Sequence, residues 1–178
     1  MTRANGTFDV IGQLGALRRY ARSLTRDDSD TEDLVQEALA RAYQKKSTLK
    51  TGSEIRPWLL AILHNIFIDR LRRSRSEGNR LKHYAELSHG RFEAAQEHTV
   101  RLSQIRAAFM NLPEEQRAAL HLVSIEELSY QEAAQVLGVP VGTLMSRVGR
   151  ARAALRALES GEIQPSLKLV GGSDVSGT

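Results

Sequence analysis

Residues 143 to 152 carry the clearest chemical capacity in this 178-residue chain. Thr143, Ser146, Arg147, Arg150 and Arg152 offer hydroxyl and guanidinium donors, and no acid interrupts them. Donors of this kind suit phosphate oxygens and the acceptor edge of guanine in a major groove. The residues before them set how they are presented. Ser129 and Glu132 have capping-box spacing, in which each side chain satisfies an orphan backbone N–H at a helix start. Ala133, Ala134, Val136 and Leu137 supply a small apolar inner face. Gly138 suits the left-handed position just past a helix end, and Pro140 restarts the chain near a new helix. The segment 129 to 152 is therefore expected to be a helix-turn-helix with a basic second helix. The alternative is an ordinary helical hairpin with a solvated basic face.

Two further charge clusters lie in the first half. Asp27, Asp28, Asp30, Glu32, Asp33 and Glu37 occur with no base among residues 27 to 37. Arg70, Arg72, Arg73, Arg75, Arg80 and Lys82 occur against only Glu77 among residues 70 to 82. Acids placed at a helix start explain part of the first cluster. An acidic face beside a basic one nevertheless points to two different partners. The net charge of +4 favours a polyanion only modestly, so position says more than the total.

The elements that position these groups are helical. Apolar residues recur at helical spacing through Val10, Leu14, Leu17, Ala21 and Leu24. They recur again through Leu34, Val35, Ala38, Leu39 and Ala42, where Ser29 or Asp30 is the expected cap. Pro57 lies near the start of a third series, Trp58, Leu59, Ile62, Leu63, Ile66 and Leu71. These three helices are expected to share a core anchored by Trp58, with Phe67 also inside. Residues 46 to 54 read as a polar loop. Residues 74 to 98 are charged, with Gly78 and Gly90, and read as a flexible linker. Leu102, Ile105 and Phe109 begin a second apolar series. Pro113, Glu114 and Glu115 start a helix through Leu120, Leu122 and Val123, and the helix-turn-helix then ends near Glu159. The Gly- and Ser-rich residues from Gly161 read as disordered unless a partner orders Leu167, Leu169 and Val170. The expected fold class is all-α: two small helical domains joined by a flexible linker, the second containing the helix-turn-helix. The expected bounds are 8–73, a linker at 74–98, 99–160, and a tail at 161–178.

Other chemistries find little support. There is no cysteine, hence no disulfide or thiolate metal site. No phosphate-cradling glycine loop or His-Glu-x-x-His pair is present, and His64, His83, His89, His98 and His121 lack ligand spacing. His64 and His121 fall in helical series and are expected to be partly buried. A non-enzyme without cofactor or metal is expected. No apolar run approaches membrane-spanning length and no signal peptide is evident, so the expectation is a cytoplasmic protein without membrane insertion.

Four segments occur in a particular order: Asp30-Thr-Glu-Asp-Leu-Val-Gln-Glu37; Arg56-Pro-Trp-Leu-Leu-Ala-Ile-Leu-His-Asn65 with Asp69-Arg-Leu-Arg-Arg73; Leu112-Pro-Glu-Glu-Gln-Arg117; and the helix-turn-helix. This order resembles the extracytoplasmic-function sigma factors of bacterial RNA polymerase over about residues 8 to 159. The resemblance implies binding to core RNA polymerase and promoter-specific initiation in a stress or signal response, under control of an anti-sigma factor. It implies that Asp33, Gln36 and Glu37 dock on the polymerase clamp helices. It further implies that residues 46 to 55 and Asn65 hold a base flipped out of the minus-ten promoter DNA, while Arg70, Arg72 and Arg73 grip the opened strand. The second domain would read the minus-thirty-five duplex. Met145 and Gly149 depart from the family pattern there, which implies thinner direct readout and more reliance on Ser146, Arg147, Arg150 and DNA shape. The competing expectations are a helix-turn-helix regulator acting without polymerase and a sigma-like decoy for an anti-sigma factor.

Overall fold

The computed structural model describes residues 8–25, 27–50, 52–78 and 97–159. Among them there are helices and no strand, as the apolar spacing requires. A 3-10 turn at Ile11–Gln13 leads into α1 (Leu14–Leu24), which buries Leu17, Tyr20, Ala21 and Leu24 along one stripe. Helix α2 (Asp28–Gln44) starts earlier than expected. Its cap is Asp27, whose carboxylate accepts from the Asp30 N–H at 3.1 Å, and Ser29 and Asp30 lie inside the helix. Asp27 wins because its extended backbone leaves its carbonyl free for the Thr31 N–H and hydroxyl, which fasten the first turn. Asp28 and Asp30 then sit where the helix dipole favours acids.

Helix α3 (Ile55–Gly78) has Pro57 in its first turn, where a missing N–H costs nothing. It buries Leu59, Leu60, Ile62, Leu63, Ile66 and Phe67. Trp58 is not the expected anchor. It is only partly buried, with its ring edge-on to Phe8 at 6.1 Å, and the centre belongs to Tyr20, Leu17, Leu34 and the α3 leucines. Nothing breaks α3 before Gly78, so residues 74–78 continue the helix where a linker was expected. The remainder of that stretch up to Gln96, and the tail with Leu167, Leu169 and Val170, lie outside the described residues.

The second module comprises α4 (Glu97–Asn111), α5 (Glu114–Ser124), α6 (Tyr130–Leu137) and α7 (Val141–Glu159). Leu102 and Ile105, which open the second apolar series, are exposed. Helix α4 packs chiefly on α7, with Ala108 and Phe109 near its end, and Leu112 just beyond it, reaching the interior. The modules do not stand apart. Helix α5 lies on α1, α6 lies on α3, and one buried apolar cluster runs through both modules.

Candidate nucleic-acid interface

The helix-turn-helix forms from local signals. The Ser129 hydroxyl accepts from the Glu132 N–H at 3.2 Å, and the Glu132 carboxylate accepts from the Ser129 N–H at 2.8 Å. The Ser129 hydroxyl also donates to that carboxylate at 2.6 Å, and this bond, followed by the one from the Ser129 N–H, holds the Glu132 carboxyl below its usual pKa. Ala133, Ala134 and Val136 are buried beneath α6. Gly138 has φ 64°, and the N–H of Val139 returns to the Ala134 carbonyl at 3.0 Å. The chain thereby reverses and starts α7 through Pro140, whose carbonyl accepts from the Leu144 N–H. Leu144, Val148 and Ala151 pin α7 to the core.

Its outer face is polar. Thr143, Ser146, Arg147 and Arg150 line one shallow concavity together with Pro113, Glu115 and Gln116 from the start of α5. Arg147 donates to Glu115 across it at 2.7 Å. Arg152 is exposed but does not line that concavity; two residues beyond Arg150 is roughly 200° around a helix. Met145 is 55 % exposed, and a methyl group at Gly149 would meet open space.

In the first module Asp33 and Gln36 are exposed on α2, and Glu37 is half-buried. Glu37 is already engaged: Arg70 donates to it at 2.7 and 3.1 Å and Arg41 at 2.8 Å. Burial would raise its pKa, but the bonds and charge of Arg70, followed by those of Arg41, outweigh burial and lower it. The structure thus joins two residues that sequence reading gave to different partners. Asn65, Arg72 and Arg73 are exposed on α3. The neighbouring loop carries a 3-10 turn at Lys46–Thr48 and Gly52 at φ 86°, with the Lys46 ammonium 4.8 Å from the Phe8 ring centre.

His64 and His121 are more buried than expected. His64 Nδ1 and the Tyr20 hydroxyl share a hydrogen bond of 2.9 Å, and Tyr20 tilts over His121 at 5.4 Å. Burial, with the charge of Arg147 added, pushes His64 down to about 4, so it is neutral at pH 7. Burial alone raises the Tyr20 hydroxyl.

Two ionic residues escaped the sequence reading. Arg117 appeared there only as the end of a motif, yet it is 1 % exposed. Its guanidinium donates to the carbonyls of Met110 and Leu112 in its own module and to those of Ser23 and Leu24 at the end of α1. Glu126, in the turn between α5 and α6, is equally buried and receives Arg19 at 3.0 Å, Arg56 and His121 at 3.3 Å. Burial would raise this carboxyl, but the bonds from His121, Arg19 and Arg56 hold it at about 2. A Glu-Glu pair after a helix gives no sequence signal of such a role, because its cationic partners lie 70 and 107 residues away.

Residues 12–77 match the family described as Sigma-70 region 2, and residues 102–155 match Sigma-70, region 4. The chain is 37 % identical over 151 residues to the ECF RNA polymerase sigma factor EcfG of Rhodopseudomonas palustris, covering 84 % of this chain and 82 % of that one. It is 32 % identical to the ECF RNA polymerase sigma factor SigM of Bacillus subtilis, covering 85 % and 94 %. A solved structure of the sigma factor RpoE with the anti-sigma factor NepR from Bartonella quintana matches at a TM-score of 0.74 and 33 % identity, over 87 % of this chain and 96 % of that one. With both regions present in order and more than four-fifths of each of these two relatives covered, the chain belongs to the extracytoplasmic-function sigma factors, which direct RNA polymerase to promoters.

Proposed function

We propose that the two faces divide the work of promoter-specific initiation residue by residue. Asp33, Gln36 and Glu37 on α2 dock on a basic surface of core polymerase. Asn65 takes a flipped minus-ten base, and Arg70, Arg72 and Arg73 hold the opened strand. Thr143, Ser146, Arg147 and Arg150 meet the minus-thirty-five duplex, with Arg152 as a flanking phosphate anchor. Residues 8–73 and 99–160 are the two working modules. The observation that carries this reading is the convergence of four donors on the outer face of a helix-turn-helix, while the exposed Asp33 and Gln36 lie on a separate helix. The protein acts as a non-catalytic subunit in the cytoplasm, under the control of an anti-sigma factor. Supporting that last point, RpoE was solved with NepR, and CnrH, 26 % identical at a TM-score of 0.60, with the cytosolic domain of CnrY.

The test is transcription with core polymerase from a promoter panel whose upstream element is intact or scrambled. Arg150→Ala should lower activity on intact promoters only, because a lost base contact costs roughly 1–3 kcal/mol at one position. Arg72→Ala should lower open-complex formation on all of them. Equal impairment of both promoter versions by Arg150→Ala would leave α7 without a reading role. For docking, Asp33→Ala with Gln36→Ala is the cleaner variant, since it leaves the Glu37–Arg70 pair in place. Unchanged affinity for core polymerase in that variant would remove α2 from the interface.

A further inference from the structure

The concavity beside α7 holds an acid where a surface built only to grip an anion would have none. Glu115 lines it together with Thr143, Ser146, Arg147 and Arg150. The Arg147 guanidinium donates to the Glu115 carboxylate at 2.7 Å. Packed elements hold both ends of this pair. Glu115 sits in the first turn of α5, where the Pro113 carbonyl accepts from the N–H groups of Gln116 and Arg117, and the Arg117 side chain is buried in the core. Arg147 lies between Leu144 and Val148, which are buried beneath α7. The pair itself is open to water on the acid's side, with the Glu115 side chain 70 % exposed and that of Arg147 21 %. An exposed ion pair adds little stability, so its place matters more than its strength. Glu114, in the same turn, makes the contrast. It faces Arg75 at 3.7 Å and does not line the concavity. The helix dipole favours an acid at either position and so does not account for the one set against Arg147.

Affinity for DNA of any sequence grows with the number of phosphates neutralised. Each such contact steepens the fall of log affinity with log salt by about 0.9. A cation already held by a carboxylate is withdrawn from that count. Arg150, on the same wall, has no ion pair among the described residues. One of the two arginines is thus offered freely to the backbone and the other is restrained. The restraint acts unequally on different DNA atoms. A guanidinium carries five N–H donors in a planar fork, so one edge can meet O6 and N7 of guanine while another stays on the carboxylate. A phosphate that approaches Arg147 instead brings its negative oxygens against Glu115. A group that weakens the wrong complex raises discrimination as surely as one that strengthens the right complex.

We propose that Glu115 is a specificity-determining residue: it restrains Arg147 from backbone phosphates and keeps its fork for a base edge of the upstream element. This role rests on the reading of α7 as the minus-thirty-five contact. The test titrates holoenzyme against promoter duplexes whose upstream element is intact or scrambled, across a range of salt. Glu115→Gln keeps the shape, removes the charge and replaces an exposed side chain. On the scrambled duplex it should steepen the salt slope by about 0.9 and bind about five-fold more tightly at 0.15 M salt, the effect of one added phosphate contact. Affinity for the intact duplex should stay close to wild type, so the ratio of the two falls about five-fold. In an Arg147→Ala background Glu115→Gln should change neither slope nor ratio, because the restrained cation is gone. An unchanged ratio in Glu115→Gln, where wild type prefers the intact duplex, overturns the proposal and leaves the α7 reading standing. The same steepening in the Arg147→Ala background also overturns it, since Glu115 then acts only as a general negative charge. A loss of affinity for the intact duplex alone overturns it in favour of a direct contact from the Glu115 carboxylate to a base. Equal binding of both duplexes by wild type, with the slope still steepened by Glu115→Gln, would keep the restraint on Arg147 and remove the reading role of α7.

Discussion

Arg117 acts as a packing element as much as a charge. Its planar fork satisfies carbonyls at the ends of two helices that meet nowhere else in sequence. Arg117→Ala should destabilise the chain by about 3 kcal/mol or more, because several buried carbonyls lose their donor at once. Arg117→Lys should recover little of this, since an ammonium cannot span the same acceptors. Urea unfolding followed by circular dichroism measures both. His64 sets a pH response. Its folded pKa of about 4 lies below its ordinary value, so the unfolded chain binds more protons between about pH 6.5 and 4. Stability should therefore be full above pH 6.5 and fall as pH drops toward 4, by up to ~3 kcal/mol. His64→Gln should flatten that part of the profile. Glu126, held at about 2, has the same sign in a lower window: its contribution is full above the ordinary carboxylate range and is lost as pH falls toward 2. Residue type alone made the α7 donors visible in the sequence. It could not show that Arg70 is held by Glu37, since that pairing depends on how α2 and α3 cross.

At the scale of elements, Gly149 separates stability from recognition. It lies inside α7 with space for a methyl group, so Gly149→Ala should raise stability by about 0.5–1 kcal/mol through helix propensity. Thermal melting checks this. If the bare backbone there admits a DNA strand, the more stable variant binds the upstream duplex less well, and a filter-binding titration on the same samples reads that loss. The helix-turn-helix was legible because the capping box, the left-handed glycine and the apolar inner face all act within ten residues. The α2 cap was misplaced because three acids and a serine compete there, and the winner depends on the backbone of Asp27. Leu102 and Ile105 misled for a different reason. Apolar spacing predicts a face to be buried but not whether a neighbour arrives to bury it, and α4 has little besides α7.

For the whole molecule, two modules were legible and their association was not. Nothing within either segment announces that Tyr20 will meet His121, or that Arg19 and Arg56 will meet Glu126, because these partners lie far apart in the chain. Because one core runs through both modules, the free chain should unfold in a single cooperative transition, with calorimetric and van't Hoff enthalpies in agreement. Weakening the seam with Glu126→Gln should split that transition into two. Scanning calorimetry of the full chain distinguishes the cases, and two transitions in the wild type would show that the seam contributes no cooperativity.

The separation of Arg19 from Glu126, 107 residues, also carries a clock. At about 5–20 residues per second, a ribosome needs roughly 5–20 s to make the acid after it has made the base. Throughout that interval the first module can fold on the exit side of the ribosome with its α1 and α3 faces bare, because the helices that cover them do not yet exist. A newborn molecule is therefore open before it can ever be closed. Its first competitor for those faces is whatever reaches the nascent chain during synthesis, so the age of a molecule, and not only its chemistry, governs how it meets the transcription machinery.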